Sequence, residues 1–163
     1  MWLNPDPRAV IPIDGFHCSR SLARTVRRKP FRVSFDEAFG EVMRGCADRK
    51  ETWITKEFLE ACGALARLGR AHSVEVWTGT ELVGGLYGVC LGGAFFAESK
   101  FHRARDASKV ALSHLVQRLT SRGFLLLEVQ FLTPHLKQLG AIEIPAEQYH
   151  QLLRRALKLR TPF

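Results

Sequence analysis

The feature that most constrains the fold is a nearly uninterrupted run of large apolar residues from Phe124 to Val129. Such a run is typical of a strand that is buried on both faces and lies parallel to a neighbour after a helical crossover. The crossover is predicted just before it, because apolar residues repeat at helical spacing from Ala111 to Leu119 and Gly123 ends the repeat. With a strand predicted over Ala94 to Glu98, the sequence indicates a strand, helix, parallel strand unit.

An antiparallel region is predicted before that unit. From His72 the apolar period changes to alternation, which predicts a strand over Ser73 to Trp77. Leu82 to Leu91 is a long, mostly apolar second strand. The turn residues Thr78-Gly79-Thr80 and Gly92-Gly93 separate these strands from each other and from the third strand. The three strands therefore predict an antiparallel meander.

Two helices are predicted before the sheet. Ser34 and Glu37 have the spacing of a capping box and precede apolar residues at helical spacing. Thr55 can cap a second helix, and Gly69 is placed to end it. The segment through Arg20 is rich in proline and turn residues, so we predict it to be irregular.

After the third strand we predict a polar loop over Ser99 to Asp106. Beyond the buried strand, Thr133-Pro134 opens a short helix that ends at Gly140, Ile142 to Ile144 is a brief strand, and Pro145 starts a last helix. The predicted fold class is α+β, an α/β/α sandwich with a mixed, mostly antiparallel sheet flanked by helices. This order of elements resembles the GNAT-like layout of acyl-CoA N-acyltransferases.

The composition is that of one folded domain. With 163 residues, 46% hydrophobic and 25% charged, the chain can bury a core, so we expect residues 1–163 to form a single domain. A net charge of +8 favours a polyanionic partner, although many small basic proteins bind nothing acidic.

Cysteine and histidine spacing gives no sign of a metal site or of a disulfide framework. The longest uncharged stretch, Val83 to Ala97, is too short and glycine-rich to span a bilayer, so no membrane segment is expected. The amino terminus has no basic stretch followed by an apolar run, which favours the cytosol. The cysteines, which we interpret as free thiols, are Cys18, Cys46, Cys62 and Cys90.

Two carboxylates are candidates for function. Strand alternation predicts that Glu128 and Gln130 share a face. Burying a carboxylate in an apolar strand is costly, so either a structural partner neutralises Glu128 or it is kept for function. Glu98 lies where the third strand meets the polar loop; it could hold an amine substrate or be a solvated strand-end charge.

Basic segments over residues 20–32, 100–109 and 154–160 could track a phosphate backbone or be solvated faces. The second precedes a helix amino terminus, which favours phosphate. Acetyl-CoA enzymes usually have a glycine-containing pyrophosphate loop there, but Arg103 to Lys109 contains no glycine, so we expect no coenzyme A and no other cofactor. The candidate nucleic-acid contacts in and near these segments are Arg27, Arg28, Lys29, Lys100, Arg103, Arg105 and Lys109.

An ordered set of short motifs makes the chain resemble the leucyl/phenylalanyl-tRNA–protein transferase family over nearly its whole length. These motifs are Pro5-Asp6-Pro7-Arg8-Ala9-Val10, Thr52-Trp53-Ile54-Thr55, His72-Ser73-Val74-Glu75-Val76-Trp77, Leu82-Val83-Gly84-Gly85-Leu86-Tyr87-Gly88-Val89, Glu98-Ser99 with Phe101, Ala107-Ser108-Lys109, and Leu139-Gly140-Ala141.

The resemblance implies an acyltransferase-like fold without coenzyme A. It implies Leu-tRNA or Phe-tRNA as donor and proteins with amino-terminal Lys or Arg as acceptors, which the added residue marks for degradation. Glu128 and Gln130 match the proposed catalytic pair, although the family usually has aspartate at the first position, and Glu98 matches an acceptor-binding carboxylate. The positions that match the donor side-chain pocket are Trp53, Leu86, Phe95, Leu115, Leu119 and Leu127.

Two alternatives stay open from the sequence. One is a small-molecule N-acetyltransferase, and the other is a non-catalytic relative that binds tRNA or peptide. The family normally carries a segment before the Pro-Asp-Pro-Arg motif, and we expect this chain to lack it. We further expect a cytoplasmic monomer.

Overall fold

The computed structural model describes residues 5–28 and 31–163. In that part of the chain the elements are β1 (Arg8–Val10), α1 (Arg20–Arg28), β2 (Arg32–Phe35), α2 (Phe39–Ala47), α3 (Lys56–Arg67), β3 (Ala71–Thr78), β4 (Glu81–Leu91), β5 (Ala94–His102), α4 (Ala107–Arg122), β6 (Leu126–Gln130), α5 (Pro134–Gln138), β7 (Ile142–Ile144) and α6 (Ala146–Leu157).

The strands form a seven-stranded mixed sheet in the order β2-β3-β4-β5-β6-β1-β7. β3 and β4 are antiparallel, whereas β5 and β6 are parallel and are joined in sequence by α4. The predicted strand, helix, parallel strand unit is therefore confirmed, and so is the α+β class with helices flanking a mixed sheet. The chain divides into two compact units, and each has a core of its own.

The first unit consists of residues 5–18, 90–97 and 116–163. Its core joins residues of β1, β5, β6, β7 and α6. Gly92 and Gly93 form the turn before β5, as predicted, and α6 explains why both are glycine. A Cβ at Gly92, where φ is +57°, would lie 2.6 Å from the Ala156 carbonyl oxygen, and the Gly93 N–H donates to that same oxygen at 2.8 Å.

The second unit consists of residues 19–28, 31–89 and 98–115. β2 and β4 pair antiparallel on either side of β3, and α2 and α3 contact β3. Gly84 on β4 lets the start of α4 approach the strand closely, because a Cβ there would lie 2.6 Å from the Ala107 Cβ. The core of this unit contains Val42, Met43, Cys46, Ile54, Cys62, Trp77, Leu82, Tyr87 and Phe101.

The predicted capping box is wrong. Ser34 lies on β2 opposite Glu75, and α2 begins only at Phe39, after an N-cap residue that makes no side-chain hydrogen bond. Glu37 instead pairs with Arg32 at 2.9 Å. Ser34 is drawn into the sheet because its hydroxyl has a buried partner there, which a local sequence pattern cannot reveal.

Three further predictions need correction. The segment through Arg20 is not wholly irregular: Arg8–Val10 pairs as β1, and Arg20–Arg28 is α1, whose first turn is capped by the Ser19 hydroxyl. The predicted loop also starts too early, since β5 continues to His102 and places Phe101 in the core of the second unit. The buried strand begins at Leu126 rather than at Phe124.

The other helix boundaries agree with their sequence signals. The Thr55 and Thr133 hydroxyls accept hydrogen bonds from the Phe58 and Leu136 amides, as predicted for N-caps. Gly69 and Gly123, with φ of +65° and +76°, follow the ends of α3 and α4. No helix within the described ranges has both the length and the apolar character needed to cross a bilayer.

A buried polar network ties β2 to β3 in the second unit. Glu75 is fully buried, and its carboxyl accepts from the Ser34 hydroxyl at 2.6 Å and from the Ser73 hydroxyl at 2.5 Å. The Ala38 amide donates to the same carboxyl at 3.3 Å, and the Trp77 indole donates to Ser34 Oγ at 2.8 Å. The Ser34 hydroxyl thus donates one hydrogen bond and accepts another within the network.

We predict that Ser34→Ala destabilises the protein by about 2 to 4 kcal/mol, because it removes one donor to Glu75 and leaves the Trp77 N–H without its acceptor. Urea denaturation followed by tryptophan fluorescence would measure the loss. Ser21→Ala, on the exposed face of α1, is the control and should change stability by less than about 0.5 kcal/mol. Equal midpoints for the two variants would contradict the role given to the network.

Candidate active site

The carboxylate of Glu128 is held from two sides. Glu128 lies on β6, which pairs with β5 on one side and with β1 on the other. Arg8 Nη1, at the start of β1, donates to Glu128 Oε1 at 2.9 Å. The Tyr149 hydroxyl, on α6, donates to Glu128 Oε2 at 2.7 Å. Each carboxylate oxygen thus has a donor of its own, and one of the donors carries a full positive charge.

The three side chains form a compact and almost dry group. Glu128 is 6% exposed and Tyr149 is 2% exposed, and the Arg8 guanidinium lies 4.4 Å from the centroid of the Tyr149 ring. Burial, and after it the hydrogen bond to Glu128, raise the pKa of the Tyr149 phenol. Tyr149 therefore stays protonated and acts as a hydrogen-bond donor at neutral pH.

Gln130 ends β6 in an uncommon backbone conformation. Its φ is +65°, and the Phe131 amide donates to the Val129 carbonyl at 2.8 Å, which closes a tight turn around it. A non-glycine residue in the left-handed region carries backbone strain and is found disproportionately at functional sites. Strand alternation no longer fixes where the Gln130 side chain points, so its shared face with Glu128 stays a prediction.

Three of the residues predicted to receive the donor side chain lie in the first unit. Phe95 and Leu127 are register partners on the parallel strands β5 and β6, so the structure brings these two together. Leu119, on α4, is fully buried as they are. The Phe95 ring also stacks on Phe163 at a centroid distance of 5.4 Å, a contact that sequence patterns did not predict.

The other three predicted pocket residues belong to the second unit. Leu86 on β4 and Leu115 on α4 are buried. Trp53 differs, because it is 53% exposed and lies before α3 with its ring edge to face against Phe58. The apolar surface of Trp53 is thus partly open to solvent.

Glu98 on β5 lies near a group of buried side chains in the second unit. Burial raises the pKa of the Cys62 thiol and of the Tyr87 phenol, and the negative charge of Glu98 raises both further. Tyr87 is fully buried, and its hydroxyl has no hydrogen-bond partner among residues 5–28 and 31–163. The Glu98 carboxylate thus lies near two buried side chains, Cys62 and Tyr87, and the Tyr87 hydroxyl has no hydrogen-bond partner in the described part of the chain.

The candidate tRNA contacts are of two kinds. Arg27 and Arg28 are exposed at the end of α1, and Arg105 is exposed before α4. Arg103 and Lys109 are already engaged: Arg103 donates to the Leu82 carbonyl at 3.2 Å, and Lys109 Nζ is 3.4 Å from Asp106 Oδ1. Lys100 is partly buried, and burial followed by the charge of Arg49 lowers its pKa. Lys29 lies outside the described residues.

Sequence patterns missed Arg8, Tyr149 and Tyr87 as site residues. Arg8 and Tyr87 lie within two of the motifs that carry the family resemblance. The motifs mark these positions but do not indicate what the two side chains do. Tyr149 lies on the last helix, and nothing local in the sequence pairs it with a residue 21 positions away. In the described part of the chain, no three His, Cys, Asp or Glu side chains are grouped so that they could hold a metal ion.

The mixed sheet, with helices on its faces and a parallel strand pair joined by a helical crossover, has the GNAT-like fold of acyl-CoA N-acyltransferases. Solved structures agree. L-PGS from Bacillus licheniformis superposes with a TM-score of 0.58 at 10% identity, over 95% of this chain and 66% of that one. Aminoglycoside acetyltransferase meta-AAC0020, from a soil metagenomic sample, superposes with a TM-score of 0.50 at 14% identity, over 80% of this chain and 89% of that one. At these identities the likeness shows the fold alone.

Sequence relatives define the family. The sequence model described as leucyl/phenylalanyl-tRNA protein transferase matches residues 10–154. A leucyl/phenylalanyl-tRNA–protein transferase of Herpetosiphon aurantiacus is 55% identical over 163 residues, which is 99% of this chain and 85% of that protein. A leucyl/phenylalanyl-tRNA–protein transferase of Ruegeria pomeroyi is 56% identical over 156 residues, which cover 96% of this chain and 74% of that protein. The chain therefore belongs to the leucyl/phenylalanyl-tRNA–protein transferase family of aminoacyltransferases.

The buried cysteine thiols should be unreactive in the folded protein. Burial raises the pKa of Cys46 to about 11, so at pH 8 only about a thousandth of it is thiolate. We predict that a chromogenic disulfide reagent modifies the exposed Cys18 within minutes and the buried Cys46, Cys62 and Cys90 only after denaturation. Cys18→Ser should remove the fast phase. A fast phase of more than one thiol per chain would contradict the buried placement.

Proposed function

We propose that this protein transfers leucine or phenylalanine from charged tRNA to the amino terminus of proteins that begin with Lys or Arg, and so marks them for degradation. Membership of the transferase family supports the reaction class. The observation that carries the proposal is the strained Gln130 two residues after the doubly held Glu128, at the end of a strand parallel to its neighbour. We place the reaction in the cytoplasm, with a monomeric enzyme.

The proposed reaction is an aminolysis. The acceptor α-amine attacks the ester carbonyl that joins the amino acid to the terminal ribose of the tRNA. A C–N bond forms, the C–O ester bond breaks, and the proton lost by nitrogen ends on the departing ribose oxygen. Because the ester is activated and an α-amine with a pKa of about 7.7 to 8.0 is partly neutral near pH 7, positioning is the main requirement.

We assign Gln130 to the attacking amine. An amide oxygen can accept a hydrogen bond from the nucleophile, and an amide N–H can be held by a carboxylate with lone pairs to spare. Glu128 suits that second task, because a carboxylate offers about four acceptor positions and Arg8 and Tyr149 take one on each oxygen. In this proposal Glu128 orients and polarises Gln130.

We assign Glu98 to the acceptor. A carboxylate next to apolar side chains suits an acceptor residue with a long aliphatic stem and a cationic end, which Lys and Arg share. Cys62 and Tyr87 would supply these apolar contacts. Both lie near Glu98, because its negative charge adds to the effect of burial in raising their pKa values.

For the donor, we assign Phe95, Leu119 and Leu127 to the amino-acid side chain. A cavity formed by these apolar side chains would favour leucine and phenylalanine over β-branched or polar residues. That Trp53, Leu86 and Leu115 also receive the side chain stays a prediction. The exposed Arg27, Arg28 and Arg105 are the strongest candidates for phosphate contacts, because Arg103 and Lys109 are partly occupied by other groups.

The central test is transfer of labelled leucine from Leu-tRNA to an Arg-terminated peptide. We expect Gln130→Ala to lower kcat/KM by about 100-fold or more, since a positioned polar group that contacts a reacting atom contributes on that order. Gln138→Ala, which removes an exposed glutamine of α5, is the matched control and should stay within about twofold. Full activity in Gln130→Ala would refute the role of Gln130. Binding of Leu-tRNA without transfer by the unmodified protein would instead favour a non-catalytic relative.

A second test concerns acceptor choice. We expect Glu98→Gln to raise KM for Arg- and Lys-terminated peptides by about tenfold or more, because a charge-assisted hydrogen bond is lost. The advantage of these peptides over a Gln-terminated peptide should shrink accordingly. Glu81→Gln, at the exposed start of β4, changes the net charge equally and should leave both values unaltered. An unchanged preference in Glu98→Gln would remove Glu98 from the acceptor site.

A further inference from the structure

We infer that Arg8 and Tyr149 are positioning residues that clamp the Glu128 carboxylate, so that Glu128 acts through Gln130 and does not take the proton of the attacking amine. The inference rests on the proposed function and assigns two residues to which the catalytic pair gives no role. It starts from two side chains, Arg8 of β1 and Tyr149 of α6, that converge on the Glu128 carboxylate of β6.

The first step concerns charge. Arg8 pairs with Glu128 at 2.9 Å in surroundings where the two side chains are 16% and 7% exposed. If Glu128 accepted the proton of the amine, the guanidinium would face a neutral acid in a nearly dry site. Removing one charge of a buried pair leaves the other without its partner, which is strongly unfavourable. The charge of Arg8 therefore favours a role in which the Glu128 carboxylate is held in place.

The second step concerns geometry. Tyr149 is anchored in the core of the first unit and donates to Glu128 Oε2 at 2.7 Å, while the Arg8 guanidinium lies over its ring at 4.4 Å. Arg8 and Tyr149 therefore support each other as well as Glu128. The carboxylate is fixed at both oxygens, and its remaining lone pairs point in directions set by these two partners.

The third step connects the clamp to Gln130. Gln130 is two residues beyond Glu128 and is held in the left-handed region, so the orientation of its amide is not set by strand geometry. A carboxylate fixed by other residues can set it, whereas a mobile carboxylate cannot. This is how residues that never touch the substrate would control the position of the group that does.

The aminolysis needs no protein base for its proton balance, because the proton leaving nitrogen is matched by the one taken up by the ribose oxygen. The rate should therefore rise with pH through the pKa of the acceptor α-amine, about 7.7 to 8.0, in the unmodified protein and in Glu128→Gln alike. A base role for Glu128 would instead abolish transfer in Glu128→Gln.

The experiment compares Tyr149→Phe, Arg8→Lys, Arg8→Met and Glu128→Gln with the unmodified protein. The control is Leu152→Ala, which removes packing from the same face of α6 without touching Glu128. We expect Tyr149→Phe to lower kcat by about tenfold with the acceptor KM unchanged. Arg8→Lys should retain more activity than Arg8→Met, and Leu152→Ala should lose stability but keep kcat.

A readout without turnover separates the clamp from the proposed function. The side-chain amide resonances of Gln130 in ¹⁵N NMR spectra should shift in Tyr149→Phe, Arg8→Met and Glu128→Gln and stay in place in Leu152→Ala. If they do not move in the first three, the clamp is wrong whatever the transfer activity. If they move and the unmodified protein transfers nothing, the clamp stands and the proposed function fails. A kcat in Tyr149→Phe equal to that of the unmodified protein would also overturn the inference.

Discussion

The pairing of β1 with β6 is the constraint on which the site depends. A strand of three residues near the start of the chain inserts between β6 and β7 and pairs antiparallel with both. The register sets Val10 opposite Glu128, with an irregularity between Ala9 and Val10. Only this insertion brings the Arg8 guanidinium to a carboxylate 120 positions along the chain. Without it, Glu128 would be a buried carboxylate that has lost its cationic partner, which is an unfavourable state.

The same pairing shows what could be predicted from the sequence. The crossover to β6, the tight turns and the Thr55 and Thr133 caps were predicted because each depends on residues within a few positions of one another. β1 was not, because three residues in a proline-rich segment have no periodicity, and their partners lie more than a hundred positions away. The Ser34 and Glu37 pattern failed for a related reason: Ser34 satisfies a local rule, but the Glu75 carboxyl opposite it offers a buried hydrogen bond.

For the candidate site, sequence reasoning identified Glu128 and Gln130 but left open whether a structural partner neutralises Glu128 or whether it is kept for function. The structure supplies the partner in Arg8, and this does not remove the second reading. Glu75 is the useful comparison, since it too is a buried carboxyl on a strand. Among residues 5–28 and 31–163, its donors are two hydroxyls and one amide, all within the second unit. The carboxyl that joins β2 to β3 is thus held by neutral donors, whereas the carboxyl beside Gln130 is held by a cation as well.

The length of the side chain at position 128 follows from the same contacts. The resemblance to the family implies aspartate there, and glutamate extends the carboxylate by about one bond, about 1.5 Å. In a site held only by the strand, that extension would displace the carboxylate and its neighbour. Here both oxygens are fixed from outside the strand, by a guanidinium on β1 and a phenol on α6. The position of the charge is then set by Arg8 and Tyr149, and the longer side chain only has to reach it.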